Sequence, residues 1–486
     1  MVRSDFLCAA FLGALLISSV SWGENPPQKK GPIINLSQKA AAELVLKQGL
    51  RTKEVNYKYQ ALALSTFLAR SKYDWKISLQ SGKWRDRTES VTTYNLNPEF
   101  ENYTSTAAIS KSLLTGTTLT LGYTRNSYNY INPALNYPVV QDGASLTLEQ
   151  SLLGNFFGNA DRATVNAAEI EYDANLILRV NELEDLVLET LRQFWTTYVA
   201  QENFQEALNE KDRYEKLVAS VKRKSSHGYS SPGELSQVQA EYETKVQTVK
   251  VTSIDYLRNL EVLVTLLGLE PGTDINFIVP TTLPPVPQLK NIAIEERRVI
   301  RSQKRKVEAA QESLKAAESN AWPTLNFVGI VGGTGLAETG QEAYSKITSQ
   351  SNPKQYVGLK FEYNFGSDIQ SQTEFNRRVN YELEQTRLKR QVSEEQDREI
   401  QAERKVAAAY AVAQSTKLEK EFREKAVKEL TQAYNQGRTD IRNLIEAMNN
   451  YFKADLLYVR YIGDYQIALN EWAALRDELI PNKEEK

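Results

Sequence analysis

The 486-residue chain has almost no cysteine and almost no histidine, one of each, Cys8 and His227. That excludes a disulfide framework, a thiolate metal site and a histidine pair for metal binding or proton relay. No sign of charge dominates. Lysine and arginine number 59 against 61 acidic residues, a net charge of −2, so nothing favours nucleic acid as a partner. Beyond Val20 no run approaches the ~18–20 apolar residues of a membrane-crossing helix. The glycine-rich "GIVGGTGLAETG" from Gly329 lacks the P-loop lysine and its Ser/Thr neighbour, and it reads as a loop beyond a strand. No catalytic constellation, cofactor motif or metal-ligand spacing is present, so an enzyme is the weakest reading. His227 reads as a solvated turn residue.

The N-terminus has a pattern of its own. Arg3 precedes an apolar run from Phe6 to Val20, and Ser21–Gly23 follow as a cleavage region. Residues 1–23 therefore read as a secretory signal peptide, with the mature chain starting near Glu24. Cys8 lies inside it, after Asp5, Phe6 and Leu7, a poor context for lipid attachment. An exported protein is expected, one that cannot cross a membrane with helices.

The remainder reads as two halves with one plan, residues 24–278 and 290–480, joined by the proline-rich linker 279–289 and ending in a short tail, 481–486. The first half opens with an amphipathic helix from Leu36 to about Arg70. In "KYDWKISLQ" from Lys72, Tyr73, Trp75, Ile77 and Leu79 alternate with Asp74, Lys76, Ser78 and Gln80. In "GASLTLEQSLL" from Gly143, Ala144, Leu146 and Leu148 alternate with Ser145, Thr147 and Glu149. Period-two alternation predicts strands with one apolar face. A helix then runs from about Asn159 to His227, and another from about Gly233 to Leu267. The second half repeats the order. A helix from about Lys290 to Asn320 precedes strands at "WPTLNFVGI" from Trp322 and "YVGLKFEYNFG" from Tyr356. Helices follow from about Asp368 to Gln436, and from beyond Gly437 to about Leu479.

Gly228 and Gly437 interrupt the helical stretches 209 positions apart. Aligned on them, Leu235, Asp255, Tyr256 and Leu260 match Leu444, Asp464, Tyr465 and Leu469. The identities fall in register with the repeated element order, which supports a duplication. Each half has one helix of about 70 residues, ~105 Å long at 1.5 Å per residue. Its two shorter helices, roughly 33 and 40 residues, match that length when stacked end to end. The strands then lie at one end of a long helical hairpin and the glycine turns at the other.

The apolar residues of the last long helix, such as Phe375, Val379, Leu383, Val406 and Tyr434, form a sparse stripe at coiled-coil-like spacing. Such a helix packs along narrow seams and meets water elsewhere. An ordinary solvated periplasmic coiled coil, structural or adaptor-like, fits the helices alone. The apolar strand faces need a cover, and a lipid-facing β-barrel supplies one because closure satisfies every backbone group. Trp75, Trp84, Tyr123, Trp322, Tyr356 and Tyr363 then suit aromatic girdles at the membrane interfaces, with core packing as the plainer alternative. Four strands per chain cannot close a useful barrel, so several chains must share one.

These features together resemble the TolC family of outer membrane efflux proteins. The resemblance spans about Leu36 to Leu479. It rests on the duplicated element order, on "GYSSPGELSQVQAEY" and "YNQGRTDIRNLIEA", and on "YVGLKFEYNFG" entering the second long helix. It implies an α+β membrane protein, with duplicated helical hairpins forming a periplasmic α-barrel and strands contributing to a shared transmembrane β-barrel. It further implies a homotrimer in outer membrane lipid, docked to a periplasmic adaptor and an inner-membrane transporter. The duct so formed would serve tripartite efflux or type I secretion as a passive conduit, and the cargo is left open among drugs, metal ions and proteins.

In that frame Gly228 and Gly437 turn the periplasmic tips, where Ser231, Thr439 or Asp440 can cap the next helix. The resemblance places Asn443 and Glu446 at the acidic ring of the entrance, with Asn443 departing from the acid. It places Tyr434 and Glu234 in a tie that closes the entrance. The expected arginine position holds Thr439, which leaves its neighbour Arg438 as the cation. An insertion from Glu101 to Tyr130 departs from the pattern. Leu119, Leu121 and Tyr123 alternate with polar residues, and Gly116 suits a hairpin turn. Two added strands are expected, either projecting from the barrel or joining its wall.

Overall fold

The computed structural model describes residues 32–86, 99–131, 138–227, 232–280, 283–287, 293–349, 352–363 and 369–480. The expected signal peptide, the tail, Gly228 and Ser231 lie outside the described residues.

In chain order, β1 (Ile33–Ser37) leads into α1 (Gln38–Gln48), α2 (Leu50–Leu62) and α3 (Leu64–Ser71). Strands β2 (Trp75–Asp86), β3 (Glu99–Ser112), β4 (Thr117–Ile131) and β5 (Pro138–Ser151) follow. Then come α4 (Asn159–Ser226), α5 (Glu234–Leu267), β6 (Asp274–Ile278) and α6 (Arg298–Asn320). The chain ends with β7 (Thr324–Ala337), α7 (Gly340–Thr348), β8 (Pro353–Glu362), α8 (Ile369–Asn435) and α9 (Ile441–Leu475).

Helices α4 and α8 run 68 and 67 residues without a glycine or proline. Each therefore keeps an uninterrupted hydrogen-bond ladder for about 100 Å. The single first helix expected from Leu36 to Arg70 is instead one strand and three helices. Gly49, at φ −55° and ψ 131°, stops α1, and its N–H returns to the Val45 carbonyl at 3.1 Å. Leu36 belongs to β1, which pairs in parallel with β6. The second half differs in smaller ways. Helix α6 starts at Arg298 after a 3₁₀ turn, later than expected, and α9 stops at Leu475 ahead of the left-handed Asp477.

The main sheet is antiparallel, six strands in the order β2-β3-β4-β5-β7-β8. The insertion is the hairpin β3–β4, turned at Gly116 with φ +69°, and it lies between β2 and β5. It joins the wall, so the chain supplies six strands where the alternation alone suggests four. The glycine-rich stretch from Gly329 is also a correction, because β7 continues through it to Ala337. Its glycines serve close approach. A Cβ on Gly335 would lie 1.8 Å from the Ala343 carbonyl of α7, which packs on this strand.

Register puts Ile77, Ile109, Leu121, Leu146 and Val331 side by side across five strands. Val357, Leu359 and Phe361 of β8 share that face, where they are exposed. Ser110, Thr120 and Thr147 line the opposite face. From Leu325 to Val331 the apolar run is about 20 Å along the strand at ~3.4 Å per residue, or about 16 Å in height at a tilt of ~40°.

The helices keep the lateral order of the strands they adjoin. Helices α1 to α3 pack on α4, α4 on α6, and α6 on α8; farther from the sheet, α4 pairs with α5 and α9, and α8 with α9. Alanines Ala160, Ala163 and Ala316 allow α4 and α6 to approach closely. Midway along α4 sits the largest core, built on Phe194, Trp195, Leu263, Leu267 and Ile275. Beside it the buried Arg298 donates to Glu184 at 2.6 Å, while the Leu479 and Ile480 amides donate to the other carboxylate oxygen at 2.9 and 3.3 Å.

Candidate functional site at the hairpin tips

The tips are held by short-range chemistry. Helix α8 ends in a Schellman turn. The Gly437 amide donates to the Tyr434 carbonyl at 3.1 Å and the Arg438 amide to the Ala433 carbonyl at 2.9 Å, with Gly437 at φ +71°. A Cβ on Gly437 would meet nothing within 4 Å, so backbone conformation alone calls for glycine. Asp440 is the cap of α9, accepting from the Arg442 amide at 3.3 Å. Thr439 does not cap; its hydroxyl accepts from the Asn443 side chain at 3.3 Å. On the other hairpin, Gly233 at φ +85° precedes α5. His227 closes α4, its Nδ1 2.7 Å from the Arg223 carbonyl.

The two hairpins meet over a small core of Tyr214, Val221, Val238, Tyr434, Ile441 and Leu444. Within it the Tyr434 hydroxyl donates to Glu234 Oε1 at 2.6 Å. Burial, and then the Glu234 carboxylate, push the Tyr434 phenol up, so it remains a donor. The cation of this tie is Lys224, which sequence reasoning missed. Its Nζ lies 3.7 Å from the Tyr434 ring centroid and donates to the Tyr434 carbonyl at 3.2 Å. Arg438 is exposed and has no side-chain partner among the described residues, because the Schellman turn carries it away from the contact. The only sequence signal for Lys224 was its place one turn before the Gly228 break.

Asn443 and Glu446 lie three residues apart on the exposed face of α9, opposite buried Leu444, Ile445 and Met448. Farther up the hairpins, Lys245 Nζ and the Tyr214 hydroxyl both donate to Asn449 Oδ1, at 2.7 and 3.2 Å. Glu210 lies 3.8 Å from Lys245, its carboxyl pushed up by burial. This second cross-hairpin contact was also missed, since its three helices are brought together only by packing.

The aromatics divide by strand parity. Trp75 and Tyr123 lie on the apolar face, while Trp84 and Tyr356 lie on the hydroxyl-rich face, so the four do not share one face of the sheet. Trp322 and Tyr363 flank β7 and β8, outside the strands. Among the described residues, no group of His, Cys, Asp or Glu side chains is placed to hold a metal, and no helix is long and apolar enough to cross a membrane.

Neither a family model nor a curated protein matches the sequence. Solved structures do. A structure of CusC, described for its folding and transmembrane channel formation, superposes with a TM-score of 0.68 at 12% identity over 90% of this chain and 91% of that one. The fold is that of the TolC-family outer membrane channels. VceC, an outer membrane protein of Vibrio cholerae, gives 0.67 at 13% identity over 90% of this chain and 95% of that one. The open state of the Neisseria gonorrhoeae MtrE outer membrane channel gives 0.66 at 13% identity over 91% and 89%. These neighbours are channels, and each is matched over nearly its full length.

Proposed function

We propose that this chain is one subunit of a homotrimeric outer membrane duct, a passive conduit for tripartite efflux or type I secretion, gated at its periplasmic end. One observation carries the reading. A sheet with one apolar and one hydroxyl-rich face stands at the end of ~100 Å helical hairpins, and its outer strands, β2 and β8, have no further partner among the described residues. In lipid those edges must be satisfied, and copies of the same chain arranged head to tail do so. The helices below both edges agree. Leu50, Tyr57, Leu64 and Phe67 are exposed on α2 and α3, as are Phe375, Val379 and Leu383 on α8.

The proposed organisation keeps a signal peptide at 1–23, two repeats at 24–278 and 290–480, the linker 279–289 and the tail 481–486. Tyr434, Glu234 and Lys224 close the entrance, Glu446 lines it with Asn443 beside it, and Trp75 and Tyr123 face the lipid boundary. A periplasmic adaptor and an inner-membrane transporter complete the pathway and supply its energy. The test is extraction from outer membranes in mild detergent, followed by mass and single-channel conductance. The proposal predicts a detergent-dependent trimer with small, cation-selective, mostly closed channels. A soluble, pore-inactive monomer or dimer would return the chain to a periplasmic coiled coil.

A further inference from the structure

Resting on the trimeric duct just proposed, we infer that three copies close an eighteen-stranded barrel, wider than four strands per chain would give. The count follows from the β3–β4 hairpin, which brings each chain to six strands. Its side chains fit a wall on both faces. Ile109 and Leu121 continue the apolar band, and Ser110 and Thr120 continue the hydroxyl face.

With this hairpin the sheet is broad enough to span the helices beneath it. Six strands ~4.8 Å apart and tilted ~40° occupy about 38 Å of circumference. The four helix positions adjoining them, α3, α4, α6 and α8, occupy about 32–40 Å at 8–10 Å each. The lumen face is polar, and Lys76, Lys354, Lys360 and Glu362 share it by strand parity. Around Thr120 and Thr147 it carries Ser78, Thr106, Ser110 and Thr124, and Glu149 there is held by Asn326 at 2.8 Å.

The experiment uses the full chain in a Cys8→Ser background. Gln80→Cys on β2 is combined in turn with Lys354→Cys, Tyr356→Cys or Lys360→Cys on β8, and oxidation should give a covalent trimer for at least one pair. Absence of covalent oligomers from every pair overturns the cyclic assembly itself, and the duct with it. Thr147→Cys is then labelled from the extracellular side with polyethylene glycol maleimides of graded size, in the full chain and in a chain lacking residues 99–131. Strands β2 and β5 are antiparallel across that hairpin with matching faces, so they can rejoin. Diameter grows with strand number, so the size cut-off radius should fall by about one third in the shortened chain. An unchanged cut-off in a cross-linked trimer sinks the inference and leaves the duct standing. A measurement on the full-length chain does not depend on the deletion folding. In proteoliposomes an impermeant maleimide should label Thr106→Cys and Thr124→Cys at least tenfold faster than Ile109→Cys and Leu121→Cys. Equal labelling at both parities would mean that the hairpin stands out of the wall.

Discussion

The Tyr434 hydroxyl donates to the Glu234 carboxylate at 2.6 Å, joining the last turn of α8 to the first residue of α5. The bond is 5% exposed on one side and 9% on the other, and it bridges the two hairpins at the proposed entrance. Removing one partner of a buried hydrogen bond costs about 1–3 kcal/mol. Tyr434→Phe should therefore shift the closed–open balance roughly tenfold toward open, read as open probability in planar bilayers. Lys224→Met should shift it in the same direction. Arg438→Ala should not, and an effect equal to that of Tyr434→Phe would return the cation role to Arg438.

The Glu184–Arg298 pair predicts a pH dependence. Burial pushes the Glu184 carboxyl from 4.5 up to about 7, against the pull of Arg298 and the backbone amides. A folded-state value above the unfolded one means that the folded chain holds the extra proton. The stability it contributes is full below pH 4.5 and is lost as pH rises through 7, about 3 kcal/mol in all. Asp185, Glu202 and Glu210 are shifted up by burial as well, so they add in the same sense. The detergent-extracted protein should melt at a higher temperature at pH 5 than at pH 8. Glu184→Gln should flatten that difference. A higher melting temperature at pH 8 in the unaltered protein would show the pair ionised throughout.

Most of this architecture could be read from periodicity, and the misreadings share a cause. Helices α4 and α8 and the faces of β2 and β8 depend on local alternation, which a sequence displays directly. The division of Leu36–Arg70 into β1 and three helices depends on β6, more than two hundred residues away, and no local pattern announces that pairing. Gly332 and Gly335 looked like loop residues because glycine favours turns, yet β7 needs them where Ala144 and α7 come close. At the tips, Asp440 was readable as a cap residue type after a glycine, and Tyr434 and Glu234 only through the family resemblance. Lys224 was not, because the resemblance supplied no cation at its position and its partner lies on the other hairpin.

Two glycines with different reasons should respond differently to alanine. Gly437→Ala places a Cβ in open space but in a left-handed backbone, at a cost of about 1–2 kcal/mol. The effect should stay at the tip, seen as faster hydrogen exchange around Asn435–Asp440. Gly335→Ala instead drives a Cβ into the Ala343 carbonyl. It should unfold α7 around the already exposed Lys346, so that trypsin cleaves there, without loosening the tips. Cleavage at Lys346 equal in both variants would mean that α7 does not depend on that contact.

Glu446 offers the sharpest test of the entrance. It is exposed on α9, with Asn443 one turn before it and no acid at that second position. In a threefold assembly a single acidic residue per chain forms one ring of three charges, close enough to concentrate cations and to bind a multivalent one. Glu446→Gln removes the ring while keeping side-chain shape and the helix intact. Cation preference and block by multivalent cations should both weaken, measured as reversal potential and as current inhibition in planar bilayers. Asn443→Asp should do the opposite, adding a second ring one helical turn away and tightening block. If neither variant changes selectivity or block, α9 does not face the conduction axis, and the entrance must be lined by another helix of the hairpins.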